Sequence, residues 1–364
     1  MRVTIAGATR RTRARLAAHV ALAGLVMLVL TAGCAAASGT TTPGTTTPAT
    51  TTRGTTTSGT QDGCGVSRIL VPACGAWWGM FLPAAPDGGG LPAAVAAQDA
   101  SLGRPLDTIL VYHDMSTTPD GTFPNSAEEQ LSRNHLLVFS WAPTIWSTGQ
   151  WYSWETITSG ALDNSVLIPE AIRLRNFGTT VFLSFAPEAD SSGPSQGTPA
   201  QFVAAWRHVH DLFAREKVRN VVWVWTTTGY LPHASTIAAM YPGNSYVDWI
   251  GYDPYNYFSC RNTGWQSFSQ TIGPFYQWLS ARHFGKPIML TEYGTSPDPG
   301  NPDLEASWYQ DIVPTLKQYS DIKALNRWNS TTDQCNFTLS SESAQAQAAY
   351  QQAGLSPYFR QQLP

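Results

Sequence analysis

Charge is scarce in this sequence. Only 13% of its residues are Asp, Glu, Lys or Arg, with 25 acidic residues set against 22 basic ones. Beyond the first fifteen residues the basic side chains form no run, which argues against nucleic acid or an anionic membrane surface as a partner. Cysteine is scarce too: five residues, with no CxxC pair and no histidine cluster, so neither a metal centre nor any other cofactor is expected. No apolar run comfortably reaches the roughly 20 residues that span a bilayer. No glycine-rich phosphate loop follows the first strand candidate, which disfavours a doubly wound nucleotide-binding sheet.

What is present begins with an export signal. Arg2, Arg10, Arg11, Arg13 and Arg15 form a basic leader, and the apolar run Leu16 to Leu30 follows. It ends in Leu30-Thr31-Ala32-Gly33-Cys34, small residues before a cysteine, as in a bacterial lipobox. Residues 1–34 are therefore expected to be a lipoprotein signal peptide, with Cys34 lipidated on a bacterial plasma membrane; cleavage nearby and plain secretion is the alternative. Residues 35–63 are dominated by Thr, Gly, Pro and Ser. With nothing to bury, they cannot offset the entropy of ordering and read as an extended tether. Residues 64–364 form the expected catalytic domain. On cleavage of the leader the mature chain loses its five arginines and no acid, and so is more acidic than the precursor. Nothing points to an obligate protein partner, and a monomer is expected.

In an oxidising compartment the four remaining cysteines read as two disulfides, with three possible pairings. We expect Cys64–Cys74 and Cys260–Cys335, the second bracing two loops on the functional face. Fourteen tryptophans in an exported chain suit stacking against sugar rings, and equally suit a large core.

Strand-like runs alternate with amphipathic stretches. The strands are expected at Ala76–Leu82, Thr108–His113, Leu136–Trp141, Thr179–Phe185, Val221–Thr226, Val247–Tyr252, Ile288–Thr291 and Ile322–Trp328. Helices are expected at Ser126–His135, Ser165–Phe177, Thr271–Phe284, Leu304–Tyr319 and Ser343–Gly354. The clearest helix starts at Thr198, where Thr198 and Gln201 make a capping box, Pro199 takes the first helical position, and Phe202, Trp206, Val209 and Phe213 line one face. Eight such repeats predict an α/β fold, a single closed (β/α)8 barrel.

Alternation along the fourth strand puts Phe182, Ser184, Ala186 and Glu188 on its inner side and Val181, Leu183 and Phe185 on its outer side. Glu188 then stands just past the strand's end, and the seventh strand delivers Glu292 to the same mouth, the end of such barrels that carries chemistry. Two carboxyls there suit glycosidic bond cleavage, one protonated to assist the leaving oxygen and one ionised to attack the anomeric carbon. Glu188 is assigned as acid/base and Glu292 as nucleophile. Trp141 and Trp223 are candidates for the cleft wall or for barrel packing. Asp190, two residues past Glu188, is a candidate for raising its pKa.

Phe185-Ala186-Pro187-Glu188, Val221-Val222-Trp223-Val224-Trp225, Val247-Asp248-Trp249-Ile250-Gly251-Tyr252-Asp253-Pro254-Tyr255-Asn256 and Lys286-Pro287-Ile288-Met289-Leu290-Thr291-Glu292-Tyr293-Gly294 together resemble glycoside hydrolase family 26. The resemblance runs from about Gly75 to Gln351. It implies a (β/α)8 barrel, retaining endo-action on a β-linked polysaccharide (β-mannan first, β-glucan or xylan next), a hydrogen bond from Tyr255 to the nucleophile, and Trp328 as a sugar platform. The family's usual Arg, His and Asn around the acid/base are Ser184, Pro187 and Asp190 here. Those departures keep open a non-catalytic carbohydrate-binding lipoprotein, and the surface tether keeps open an envelope-glycan transglycosylase.

Overall fold

A computed structural model describes residues 64–364, apart from 86–88, 119–120, 194, 299, 333, 360 and 362. The leader, the linker and Cys34 lie outside the described residues.

Eight parallel strands close on themselves. They are β1 (Trp77–Phe81), β2 (Thr108–His113), β3 (Leu136–Trp141), β4 (Val181–Phe185), β5 (Val221–Thr227), β6 (Trp249–Tyr252), β7 (Ile288–Thr295) and β8 (Ile322–Trp328). Each pairs with the next, and β8 pairs with both β7 and β1, so the sheet has no free edge. The principal helices follow in turn: α1 (Gly90–Leu102), α2 (Ser126–Leu131), α3 (Ile168–Phe177), α4 (Pro199–Arg215), α5 (Ala234–Ala239), α6 (Phe268–Ser280), α7 (Pro302–Gln310) and α8 (Ala344–Gly354). The fold is the expected (β/α)8 barrel.

Side-chain alternation divides the core in two. Trp77, Leu110, Val138, Phe182, Val224, Trp249, Met289 and Ala324, one from each strand, pack inside the barrel. Their sequence neighbours Trp78, Ile109, Leu137, Leu183, Trp225, Ile250, Leu290 and Leu325 pack outward against the helices. Above the apolar interior lie smaller polar groups: Ser184 donates to Thr226 Oγ1 at 2.8 Å, and Thr226 and Thr291 meet at 3.3 Å. Gly251 has to be glycine here, because a Cβ would come within 2.1 Å of Thr291 Oγ1.

The floor is closed by the loop between Cys64 and Cys74, which are disulfide-bonded. Its Leu70 is buried with the interior set, and its carbonyls at Ile69 and Leu70 accept the indole N–H groups of Trp249 and Trp77, each at 2.7 Å. Cys260 and Cys335 form the second disulfide, joining the loops that follow β6 and β8.

Helix α4 forms as its sequence dictates. Thr198 and Gln201 exchange the two capping-box bonds, and Phe202, Trp206, Val209 and Phe213 are all buried. Other helix bounds shift. The stretch expected at Leu304–Tyr319 breaks at Asp311 into α7 and a second segment, Ile312–Gln318. Helix α6 starts three residues earlier than expected, because Ser267 and Gln270 form an unrecognised capping box. Helix α2 stops at Leu131, short of His135.

Candidate active site

Glu292 lies within β7, which runs on to Thr295 instead of ending at Thr291, with an irregular register against β8 between Leu290 and Tyr293. Tyr293 packs outward, and Glu292 faces the cleft. The phenol of Tyr112, inward-facing on β2, donates to Oε1 of Glu292, and that of Tyr255 donates to Oε2 at 2.5 Å. The backbone N–H of Glu292 donates to Asp253 Oδ1 at 2.9 Å, fixing the strand beneath its side chain.

Glu188 arrives differently. Strand β4 ends at Phe185, and both Ala186 (φ 48°) and Glu188 (φ 52°) take the left-handed conformation around Pro187. Two such residues each cost on the order of 1 kcal/mol and persist only where the surroundings hold them. Here the Ala186 N–H is held by the Trp141 carbonyl at 2.8 Å and the Glu188 N–H by that of Thr226 at 3.2 Å. The hook corrects the simple alternation expected past Phe185. Ala186 packs into the outer cluster, and Glu188 reaches the cleft because the chain turns.

Both glutamates line one cleft of about 480 Å³ at the C-terminal ends of the strands. Each keeps an accessible edge, while protein surrounds its carboxyl on most sides. A larger cavity of about 650 Å³ opens near the N-terminal end of β2, but Arg104 and Asp107 there are paired with each other. The two cleft acids differ electrostatically. Burial pushes the Glu188 pKa up to about 8, helped by the charges of Glu292 and Asp190 and opposed by Arg261 and a hydrogen bond with Asp253. Burial also raises Glu292, but its two tyrosine hydrogen bonds favour the charged form. Burial and the same two glutamates raise Asp253 well above the usual range. Tyr112 and Tyr255 are pushed up by burial and by Glu292, so both remain hydroxyl donors.

Among the other expected site residues, Trp328 lines the cleft at the end of β8, its ring 5.9 Å from Phe81 at an interplanar angle of 15°. Trp141 and Trp223 need correction as substrate-binding residues. Each shares parity with the outward-facing side chains of its strand. Trp141 is 1% exposed and packs on Phe123 and Phe185, while Trp223 packs on Trp206 and Phe213 beneath α4. Asp190 also stands off the cleft wall. Its carboxylate accepts from the N–H of Thr228 at 2.9 Å and from the Thr228 hydroxyl, and it faces His233 at 3.3 Å. It acts on Glu188 through charge alone.

Sequence reasoning missed Tyr112, which the alternation Thr108, Leu110, Tyr112 along β2 could have placed. It also missed Phe81, Tyr257, Arg261 and Phe337, which line the cleft with the glutamates. The loop residues among them carry no periodic signal. Two aromatics stay exposed on a short hairpin after β3, Trp146 at 51% and Trp151 at 59%. Among the described residues no group of three or more His, Cys, Asp or Glu side chains is arranged to hold a metal ion.

Because the Asp190 charge raises Glu188, Asp190→Asn lowers the Glu188 pKa. The alkaline limb of kcat/KM, where the acid form is lost as pH rises through about 8, then moves to lower pH. A pH–rate profile of the variant checks this; an unmoved or raised limb contradicts it.

A closed parallel barrel with two glutamates of unlike surroundings at its C-terminal mouth is an arrangement suited to glycosidic bond cleavage. Residues 192–327 match the sequence model of Glycosyl hydrolase family 26. Endoglucanase H of Acetivibrio thermocellus is 27% identical over 269 residues, which cover 69% of this chain but 28% of that longer protein. Two solved structures share the fold. The GH26 β-mannanase of Bacteroides ovatus has a TM-score of 0.55 at 15% identity, over 79% of this chain and 90% of that one. The GH26 domain of a Prevotella bryantii endo-β-mannanase/endo-β-glucanase has a TM-score of 0.54 at 13% identity, with the same two coverages. Over residues 192–327 the chain is thus similar to glycoside hydrolase family 26, and it shares the barrel fold of structures named for that family.

Proposed function

We propose that this chain is a retaining, endo-acting hydrolase of a β-linked polysaccharide, with β-mannan the first substrate to test and β-glucan and xylan next. The reading is carried by the asymmetry of the two cleft acids. Glu292 receives two hydroxyl donors that favour its charged form, while Glu188 is pushed up to about 8 and stays protonated at neutral pH. In the first step the Glu292 carboxylate attacks the anomeric carbon as Glu188 passes its proton to the departing glycosidic oxygen.

Esterification then removes the Glu292 charge, the second-largest cause of the raised Glu188 pKa. The Glu188 pKa falls, which suits its next role as the base that deprotonates water. That water attacks the same carbon and frees Glu292. Two inversions give net retention. Endo-action is supported by exposed Trp146 and Trp151, which extend aromatic surface beyond the catalytic pocket on the same face. The mannanase and endoglucanase names of the relatives support the substrate order.

Proton NMR of early reaction products, run across mannan, β-glucan and xylan oligosaccharides, tests the reading. The β-anomer is expected first, with mutarotation to the α-anomer later; initial release of the α-anomer overturns retention. No turnover of any β-glycan overturns the hydrolase reading itself.

A further inference from the structure

The cleft carries a guanidinium that the double displacement does not use. Arg261 follows Cys260 in the loop after β6, and three constraints fix its place. Its N–H donates to the Tyr257 carbonyl at 2.9 Å, the Cys260–Cys335 disulfide ties the loop across to the loop after β8, and its guanidinium lies 3.7 Å above the Tyr257 ring. The side chain is exposed, and it lines the same cavity as Glu188 and Glu292.

Despite these neighbours, Arg261 makes no ion pair and no side-chain hydrogen bond among the described residues. Three of the cleft's hydroxyls are committed. The Tyr112 and Tyr255 hydroxyls serve Glu292, and the Thr332 hydroxyl is bonded to the Cys335 backbone. The cleft therefore has an acidic floor and, at its rim, a planar fork of N–H groups already oriented by stacking. A guanidinium held flat against a ring retains its in-plane edge for two parallel bonds to a carboxylate, and little of its freedom is lost when they form. The floor repels an anionic substituent, so only the rim can accept one. There a charge-assisted pair supplies both attraction and orientation.

We infer that Arg261 recognises a carboxylate carried by the polysaccharide, so that the preferred substrate is an acidic β-glycan bearing uronate groups near the scissile bond. This deepens the glycosidase reading and rests on it. Arg261 is the specificity-determining residue, and the Cys260–Cys335 bridge holds it in place.

The test compares matched pairs: mannan and glucan oligosaccharides against the same chains partly oxidised at C6 to uronates, and glucuronate-branched xylo-oligosaccharides against their carboxyl-reduced counterparts. Binding is measured by calorimetry in a Glu292→Gln background, with and without Arg261→Gln, so the result does not depend on turnover. In at least one pair the acidic member is expected to bind about thirtyfold more tightly, consistent with one charge-assisted bidentate contact. That preference should weaken in raised salt, fall to intermediate with Arg261→Lys, and disappear with Arg261→Gln. Equal or weaker binding of the acidic member in every pair overturns the inference, as does a preference that survives Arg261→Gln. Hydrolysis of these pairs by the wild type is scored separately. Turnover without acid preference removes only the role of Arg261, whereas acid-selective binding without turnover removes only the hydrolase reading.

Discussion

Glu292→Ala is expected to lower kcat on the order of 10⁵-fold, on polysaccharide and on an activated aryl glycoside alike, because no later step can proceed without the covalent bond. Glu188→Ala should behave differently. On polysaccharide, where the leaving oxygen needs a proton, kcat falls on the order of 10³-fold. On a dinitrophenyl glycoside, whose leaving group departs unprotonated, bond cleavage is nearly normal and water attack becomes limiting. Azide then accelerates the Glu188 variant and yields a glycosyl azide of retained configuration. Steady-state kinetics on the two substrates separate the roles. If Glu292→Ala is the variant that spares the activated substrate, the assignments are reversed.

A comparably large effect on stability is expected away from the chemistry. Arg327, on β8, is fully buried and pairs with Glu342, itself 5% exposed. The Tyr309 hydroxyl also donates to Glu342 at 2.6 Å, and Arg327 Nη1 donates to the Phe337 carbonyl at 2.6 Å. Arg327→Met removes one charge and leaves the other buried. A loss of about 3–5 kcal/mol is expected, which for a domain of this size lowers Tm by roughly 10 °C. Replacing both partners, as Arg327→Met with Glu342→Leu, should recover more than half of the loss, since an apolar pair strands no charge. Thermal and urea denaturation of the three variants check this; a double variant no better than the single one contradicts it. Because Arg327 also holds the backbone of Phe337, which lines the cleft, the single variant should raise KM more than it lowers kcat.

Much of this architecture is legible in the sequence because alternation and capping are local rules. β2, β3 and β8 fall where the apolar runs place them, and the Thr198 capping box starts α4 where expected. The inner face of β4 is likewise readable through Ser184. The rule fails where the backbone leaves the extended region. Left-handed φ values at Ala186 and Glu188 re-aim the acid, and nothing in Ala-Pro-Glu signals them. For Trp141 and Trp223 aromatic identity leaves cleft and packing open, and strand parity decides: Trp141 follows Leu137 and Phe139 toward the helices. Asp190 raises the Glu188 pKa as its nearness in sequence suggests, but only the fold shows that Thr228, from the next strand's loop, holds it. Arg261 and Phe337 depend on a bridge between loops 75 residues apart, a long-range constraint that only the folded chain displays.

The small stapled loop beneath the barrel has a practical consequence. Cys64 and its loop lie at the base, the end of the barrel opposite the cleft, so coupling the described domain to a support through that base leaves the catalytic rim open to long polymers.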